Sequence, residues 1–223
     1  MKLIIFDCDG TLVDSQHNIV RSMQFAFERE ELPWPGREAT LSIVGLSLPQ
    51  VMQVLFPEGD AEQHERLTEG YKNAFQYLRA TEAHKEPLYD GCREVLDRYH
   101  AMDDVIMAIA TGKSQRGVRA MIEREGLHGY FGSIQTADDA PSKPHPAMIH
   151  QAISETGAEL GNTVMIGDTS YDMTMARNAG VGAIGVSWGY HPIDELMSSG
   201  AHDILHEYNQ LEASINGYLG GTS

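Results

Sequence analysis

The sequence has few cysteines, few cationic residues and no long apolar run. Its 223 residues include only two cysteines, Cys8 and Cys92, a count that fits a reducing compartment rather than a fold held by disulfides. Lysine and arginine number 16 against 32 acidic residues, so the formal net charge is −16. Such a surface repels nucleic-acid backbones and anionic membranes, and we expect neither as a partner.

The sequence also lacks the hydrophobic segments that would direct a protein to a membrane or to secretion. No apolar run approaches the roughly 20 residues that a membrane span needs. The N-terminus does not resemble a signal peptide, because only four apolar residues follow Lys2 before an acid. We therefore expect a cytoplasmic protein, either a monomer or a homodimer. With so little positive charge, the chain would need a metal ion or well-placed lysines to bind an anionic substrate.

The N-terminal segment joins a predicted buried strand to two acids. Residues 3–6 (LIIF) are apolar and are followed by Asp7 and Asp9, and Gly10 then allows the backbone to turn. In an ideal strand both carboxylates would point the same way, at the sheet edge where open α/β sheets bind ligands. An ordinary strand end with an Asp-Gly turn would contain the same residues, so the rest of the chain must supply the context.

Helical spacing dominates the next segment, residues 16–81, which contains no convincing strand. After it, strands and helices alternate. The predicted later strands cover residues 105–110, 131–136, 163–166, 183–187 and 203–205. This alternation predicts an α/β fold, a Rossmann-like parallel sheet flanked by helices, which the first strand must join.

The same pattern predicts two domains. An α/β core would comprise residues 1–15 and 84–223, and a helical cap of residues 16–83 would lie above the strand ends, with hinges near 14–16 and 83–87. Pro146 suits the first position of a helix, and the tail from residue 216 is expected to be frayed.

Every polar cluster follows the C-terminal end of a predicted strand. The clusters are Asp7 with Asp9, Thr111 with Lys113, Lys143, and Asp168 with Asp172. Because these ends share one edge of a parallel sheet, the side chains should meet in one crevice. Four acids together require a cation, and oxygen ligands without a His or Cys cluster favour Mg²⁺. A lysine beside the metal would complete a site for a phosphate dianion.

Taken alone, each cluster has an ordinary structural explanation. Thr111 and Gly112 could form a turn, and Lys143 could be a solvated loop lysine. Asp168 could be a helix N-cap and Asp172 an acid in the first helical turn. Their joint placement on strand ends is what favours a functional site.

These segments resemble the motifs of the haloacid dehalogenase-like hydrolase superfamily over nearly the whole chain. Residues 6–11 (FDCDGT) resemble its first motif, 110–112 (ATG) the second, Lys143 the third and 167–172 (GDTSYD) the fourth. The helical insert resembles the cap of the phosphoglycolate-phosphatase-like branch, as do residues 84–91 and 142–146. The resemblance implies a phosphatase that acts on a small phosphorylated metabolite.

The resemblance also implies roles for the residues. Asp7 would be the nucleophile that forms an aspartyl-phosphate, and Asp9 would be the general acid and then the general base. The dehalogenases lack an acid at the second position, so Asp9 favours phosphoryl chemistry. Cys8 would be a spacer packed against the sheet.

Ligand contacts follow from the same resemblance. Mg²⁺ would be held by the Asp7 carboxylate, the Asp9 backbone carbonyl and Asp168, with Asp172 supporting through water or by pairing with Lys143. The phosphoryl group would be bound by Gly10, Thr111, the Gly112 backbone and Lys143, whereas the role of Lys113 is left open. Ser47, Gln50 and Arg79 are polar candidates in the cap.

Several activities stay open at this point. A pyrophosphatase, a nucleotidase and a sugar phosphomutase share the superfamily's motifs, and the sequence does not identify the leaving group. A receiver-like phosphorylation switch also combines an aspartyl-phosphate, Mg²⁺, a Thr and a Lys. That alternative is weaker, because its phosphorylated acid lies on a central strand after an earlier acidic pair, whereas here the acids come first.

Overall fold

The structure, a computed structural model, describes residues 1–81 and 86–220. Within them, six strands form one sheet: β1 (Lys2–Phe6), β2 (Val105–Thr111), β3 (Phe131–Thr136), β4 (Thr163–Gly167), β5 (Gly182–Val186) and β6 (Asp203–Leu205). Neighbouring strands are parallel, in the spatial order β3-β2-β1-β4-β5-β6. The predicted α/β fold is therefore confirmed, with each strand end within one residue of its predicted place.

Strand β1 lies at the centre of the sheet, paired with β2 on one side and β4 on the other. Ile4 and Phe6 pack into the hydrophobic core on one face, and Leu3 and Ile5 into the core on the other. Burial on both faces explains why the segment is apolar at every position. It also carries the acids that follow β1 to the middle of the sheet edge.

Ten α-helices accompany the sheet in the described residues. They are α1 (Gln16–Arg29), α2 (Arg37–Leu41), α3 (Leu48–Leu55), α4 (Ala61–Ala80), α5 (Cys92–His100), α6 (Gln115–Glu125), α7 (Ala147–Thr156), α8 (Ser170–Ala179), α9 (Ile193–Ser198) and α10 (Leu211–Gly220). Helices α5, α6 and α10 contribute to the core on one face of the sheet, and α7, α8 and α9 to the core on the other.

Helices α1 to α4 form a separate bundle with its own apolar cluster, which includes Phe27, Met52, Phe56 and Leu67. Helix α4 begins with a capping box in which the Asp60 carboxylate accepts a hydrogen bond from the Gln63 N–H at 2.8 Å. No strand occurs in residues 16–81, as the sequence predicted. The predicted boundary between residues 83 and 84 and most of the second hinge lie outside the described residues, so the division into two domains stays a prediction.

Four details differ from the sequence-based expectations. Helices α2 and α9 were not predicted, because five or six residues are too few to show helical periodicity. Pro146 is the N-cap of α7 rather than its first helical residue. The tail is helical to Gly220 rather than frayed from residue 216, since Leu211 and Ile215 anchor α10 in the core of the sheet.

Candidate active site

Asp7 follows directly from the central strand. Its N–H donates to the Ile166 carbonyl at 3.0 Å, which continues the pairing of β1 with β4 beyond Phe6. The carboxylate is 1% exposed, and its Oδ1 accepts a hydrogen bond from the Cys8 N–H at 2.7 Å. The Cys8 side chain is fully buried in the core, where the sequence analysis placed it.

Asp168 and Asp172 join Asp7 from the end of β4 and the start of α8. One carboxylate oxygen from each of the three acids lies within 4.8 Å of the other two, and all three residues are buried. The capping box of α8 orients Asp172, whose Oδ2 accepts from the Thr169 hydroxyl at 2.7 Å. Gly10, with φ of +85°, turns the backbone so closely past Asp168 that a Cβ would collide with that carboxylate.

Two of the three acids, Asp7 and Asp168, have raised pKa values. Burial raises the pKa of Asp7 to about 6 and the negative charges of Asp172 and Asp9 add to this, whereas Lys143 and the Thr111 hydroxyl act in the opposite direction. Burial also raises the pKa of Asp168 well above its usual range, together with the charges of Asp172 and Asp7. The cluster therefore holds more negative charge than its surroundings compensate.

Lys143 is the cation that the cluster shares. Its side chain is fully buried, and its Nζ lies 2.6 Å from Asp172 Oδ1 and 3.0 Å from Asp7 Oδ2. Burial favours the neutral amine, but the two carboxylates outweigh this and raise the pKa of Lys143. Lys143 is thus not the solvated loop lysine that its sequence context alone allowed.

The residues fit a divalent cation. Asp7 Oδ2 is fully buried and makes no hydrogen bond of acceptable geometry, although Lys143 is close to it. The donors of Asp7, Asp168 and Asp172 are all oxygens, which suits a hard cation such as Mg²⁺ rather than a transition metal. A cation placed among these oxygens would complete the coordination of Asp7 Oδ2 and offset the excess negative charge.

Asp9 lies outside this cluster and has partners of its own. Its Oδ1 accepts from the Ser15 hydroxyl at 2.6 Å and pairs with Lys113 Nζ at 2.6 Å. Burial would raise the pKa of Asp9, but the charge and hydrogen bond of Lys113, the Ser15 hydroxyl and the charge of Arg79 together lower it. Asp9 is therefore held as a carboxylate. The sequence left the role of Lys113 open, and the structure places it against Asp9.

Thr111 and Gly112 end β2 beside these groups. The buried Thr111 side chain accepts from the Lys113 N–H at 3.2 Å, so it orders the turn that carries the lysine. A Cβ on Gly112 would lie 2.5 Å from the carbonyl oxygen of Gly45 in the cap. Glycine at position 112 thus permits the close approach of the cap as well as a turn.

Sequence analysis missed the segment after β5. The Tyr190 N–H donates to Asp168 Oδ2 at 2.9 Å, and the Tyr190 hydroxyl lies 3.1 Å from Ser15 Oγ, so one residue links the two acidic groups. His191 Nε2 lies 3.1 Å from the Ser42 carbonyl oxygen of the cap. The rule that polar groups follow strand ends, applied to β5, would have indicated this segment.

Residues 42–47, which connect α2 and α3 in the helical bundle, contact residues at the sheet edge. The Tyr171 hydroxyl donates to the Ser42 carbonyl at 3.3 Å, and the Ser47 N–H donates to Ser142 Oγ at 2.8 Å. Of the cap candidates from the sequence, Ser47 contacts the core through this backbone N–H, and Gln50 is exposed. Arg79 pairs with Glu86 at 3.0 Å. Between the helical bundle and the sheet edge lies a cavity of about 360 Å³, which Asp7, Asp9 and Arg79 line.

Comparisons with known proteins agree with this geometry. A model of the family described as haloacid dehalogenase-like hydrolase matches residues 4–186. The probable phosphatase IndB of Dickeya dadantii is 33% identical over 222 residues, covering 97% of this chain and 94% of that protein. The phosphoglycolate phosphatase of Photobacterium profundum is 28% identical over 222 residues, covering 95% and 94%. A solved structure of a hydrolase from Pseudomonas syringae has a TM-score of 0.86 at 26% identity, covering 97% of this chain and 99% of that one.

Within the described residues, no helix is long and apolar enough to cross a membrane.

Proposed function

The chain belongs to the haloacid dehalogenase-like hydrolase family and is a phosphatase, and on that premise we propose that it hydrolyses a small phosphomonoester with Mg²⁺ through an aspartyl-phosphate on Asp7. The observation that carries the proposal is the buried group of Asp7, Asp168 and Asp172 beside Lys143. Its excess negative charge calls for a cation, and a cation there would attract the phosphoryl group of a substrate to Asp7.

Mg²⁺ is the cofactor that we propose for this cluster. The carboxylates of Asp7 and Asp168 and the backbone carbonyl of Asp9 would hold it, and Asp172 would support it through water or through Lys143. When bound, the ion would neutralise charge on the phosphoryl oxygens and so make phosphorus accessible to an anionic nucleophile. Lys143 would contribute to the same neutralisation.

Asp7 is the proposed nucleophile of the first step. One of its carboxylate oxygens forms a bond to phosphorus while the bond from phosphorus to the ester oxygen breaks. Asp9 donates a proton to that oxygen, which leaves as an alcohol. Thr111 and Lys143 would hold the phosphoryl oxygens during the transfer.

The backbones of Gly10 and Gly112 complete the proposed phosphoryl site. Both glycines lie at turns that follow a strand end, and at Gly10 a side chain would collide with Asp168. In the structure the Gly10 N–H donates to the Val13 carbonyl at 3.0 Å, so Gly10 would contribute chiefly the tight turn, and the backbone of Gly112 would be the donor to a phosphoryl oxygen. Backbone donors of this kind stabilise phosphoryl oxygens without rearranging during the reaction.

In the second step Asp9 acts as a base. Its carboxylate takes a proton from a water molecule, whose oxygen attacks phosphorus and releases inorganic phosphate from Asp7. The ion pair with Lys113 at 2.6 Å stabilises the ionised form of Asp9 that this step requires. Because the first step requires protonated Asp9, we expect an arriving substrate to draw Lys113 from Asp9 toward the phosphoryl oxygens.

Phosphate release tests the proposal. Phosphoglycolate, pyrophosphate, a nucleoside monophosphate and a sugar phosphate would each be offered with Mg²⁺ and with a chelator. We expect Mg²⁺-dependent release from at least one of them, abolished in Asp7→Asn and unchanged in Asp103→Asn, an exposed acid just before β2. Stoichiometric phosphorylation without turnover would instead indicate a switch, and release that survives Asp7→Asn would contradict the proposed nucleophile.

We also propose that residues 16–83 act as a cap domain over this site. The contacts of Ser42 and Ser47 with the core support this, as does the cavity that the two parts enclose. Small-angle scattering with and without Mg²⁺ and a phosphate mimic would test whether the cap closes. Identical profiles would contradict a large closing motion.

A further inference from the structure

The cavity over the sheet edge has walls of contrasting chemistry. Its base includes Asp7, Asp9 and Thr111, where the phosphoryl group would be bound under the proposed function. The wall that residues 16–81 supply is largely apolar, although Lys72, Gln76 and Arg79 also line the cavity. It includes Ile19, Met23, Leu46, Leu48, Tyr71 and Phe75, which we call the cap wall. The leaving group of a substrate would extend from the base toward this wall.

An aromatic pair in the cap wall stands next to the proposed general acid. Tyr71 and Phe75 lie one turn apart on α4, with ring centroids 5.7 Å apart. Lys113 Nζ, which pairs with Asp9, lies 5.2 Å from the centroid of the Phe75 ring. Since Asp9 protonates the departing oxygen, the group attached to that oxygen would meet these two rings first.

The Tyr71 hydroxyl adds a polar group to this wall. Burial raises the pKa of Tyr71 well above its usual range, and the charges of Asp9 and Glu86 add to the effect. No residue in the described part of the chain hydrogen-bonds to this hydroxyl. It therefore stays protonated and is available to a polar atom on a ring-shaped leaving group, as aromatic side chains with one polar end often are in binding sites.

Among the described residues, four cations line the cavity: Lys72, Arg79, Lys113 and Arg116. A carboxylate on the leaving group would have to displace the acid already paired with one of the first three, or reach the exposed Arg116. Arg79 donates to Glu86 from both Nε, at 3.2 Å, and Nη2, at 3.0 Å. Lys113 is paired with Asp9 and, under the proposed function, leaves it only for the phosphoryl oxygens. Lys72 is paired with Glu69 at the surface. Arg116 lines the cavity as an exposed residue. Burying an unpaired carboxylate against an apolar wall is unfavourable, so this compartment disfavours a substrate such as phosphoglycolate.

We propose, building on the phosphatase activity inferred above, that the preferred substrate is the phosphate monoester of an uncharged alcohol that carries an aromatic or heteroaromatic ring. The phosphoryl group binds at Asp7, and the ring packs against Tyr71 and Phe75. A volume of about 360 Å³ lies within the range of pockets that bind ring-bearing small molecules. Ring stacking and burial together should raise kcat/KM by about tenfold or more over a small alkyl ester.

Three phosphate esters distinguish the effect of a ring on the leaving group from the effect of a carboxylate. Benzyl phosphate carries the ring, ethyl phosphate lacks it, and 2-phosphoglycolate replaces it with a carboxylate. Wild type should show the highest kcat/KM with benzyl phosphate. Tyr71→Leu should raise KM for benzyl phosphate about fivefold to tenfold while leaving ethyl phosphate nearly unchanged. Tyr71→Phe, which keeps the ring, should retain the preference if the leucine variant folds poorly.

A matched control comes from the same helix. Tyr77 is 69% exposed on α4 and does not line the cavity, so Tyr77→Leu should leave all three values of kcat/KM unchanged. A wild type that prefers 2-phosphoglycolate over benzyl phosphate would overturn the inference while leaving the phosphatase activity in place. The inference would also be overturned if Tyr71→Leu changed kcat/KM for benzyl phosphate and for ethyl phosphate equally.

A binding experiment makes the inference independent of turnover. Calorimetry on Asp7→Asn with Mg²⁺ would measure the dissociation constants of benzyl phosphate and 2-phosphoglycolate directly. About tenfold tighter binding of benzyl phosphate supports the inference even if wild type releases no phosphate, an outcome that would refute only the proposed function. Equal binding, or tighter binding of 2-phosphoglycolate, overturns the inference.

Discussion

Asp7 and Asp9 are separated by one residue, yet their carboxylates lie in opposite electrostatic surroundings. Burial and the charges of Asp172 and Asp9 raise the pKa of Asp7 to about 6, even with Lys143 3.0 Å away. The pKa of Asp9 is lowered instead, because Lys113 and Ser15 outweigh its burial. Neighbouring acids whose pKa values are moved apart are suited to different chemical roles.

The two lysines account for much of this difference. Lys143 is shared by Asp7 and Asp172, with Asp168 close by, so that side of the site has one cation for three acids. Lys113 lies 2.6 Å from Asp9 and 3.9 Å from Glu86, so that side is more nearly neutral. The excess charge near Asp7 suits a metal ion and a phosphoryl group, and the balance near Asp9 suits proton transfer.

Removing the shared lysine should have the largest effect. Lys143→Met leaves three buried acids without a cation, and we expect the free energy of unfolding at pH 7.5 in chelator to fall by about 3–5 kcal/mol. Urea unfolding would measure it. Lys72→Met, which removes a lysine exposed beside Glu69, should cost less than about 1 kcal/mol. Similar losses in both variants would contradict the difference between shared and surface lysines.

Asp9→Asn should lower kcat for an alkyl phosphate by a factor of about 10² to 10⁴, because it removes the proposed acid and base together. An aryl phosphate has a leaving group that needs no proton, so its first step should be affected less. Rapid-quench kinetics should then show a burst of phenol followed by slow turnover. An equal loss for both substrates, without a burst, would be evidence against an acid role for Asp9.

Asp7→Asn should stabilise the metal-free protein. The pKa of Asp7 is about 6 in the folded protein, against a reference value of 3.8 that we take for the unfolded chain. Between these two pH values the folded protein binds more protons than the unfolded chain, so the free energy of unfolding falls as pH rises. At pH 7.5 in chelator, the neutral variant should gain up to about 3 kcal/mol. The gain should shrink as pH falls through about 6 and vanish below about 4.

Urea unfolding of wild type and Asp7→Asn at pH 7.5 and pH 4.5 would test this. Saturating Mg²⁺ should stabilise wild type more than the variant, because the proposed site requires the ionised carboxylate of Asp7 as a ligand. If Asp7→Asn proved less stable than wild type at pH 7.5 in chelator, the excess of negative charge around Asp7 would have been overestimated.

The smallest effect is expected at Lys113. Its positive charge lowers the pKa of Asp9, so Lys113→Met should raise that pKa. The limb of the pH profile of kcat/KM that reports Asp9 should therefore move to higher pH by the same amount. Lys72→Met serves again as the control. An unchanged limb would mean that Lys113 does not set the ionisation of Asp9.

The fold was predictable because β1, β2 and β4 are short apolar runs that end beside polar residues. Strand β1 and its acids, and the ends of β2 and β4, follow a rule that needs only the parallel sheet. Helices α2 and α9 could not be predicted in the same way, since each is too short to display a periodic pattern.

Which residues form the site was easier to predict than which of their side chains pair with one another. Asp7, Lys143, Asp168 and Asp172 come together as the strand-end rule implies. Nothing in the local sequence indicates that Lys113 pairs with Asp9, because 104 positions separate them and the contact depends on how the turn after β2 is oriented. Tyr190 links Ser15, 175 positions away in the sequence, to Asp168, 22 positions away.

The most direct test of this account is to locate the phosphoryl group on the protein. Wild type and Asp9→Asn, which should release it slowly, would be mixed with Mg²⁺ and an aryl phosphate, quenched in acid within milliseconds and digested for mass spectrometry. The account predicts one hydroxylamine-sensitive phosphoryl group on the peptide that contains Asp7, absent from Asp7→Asn. Steady phosphate release without any such adduct, or an adduct on a different residue, would contradict it.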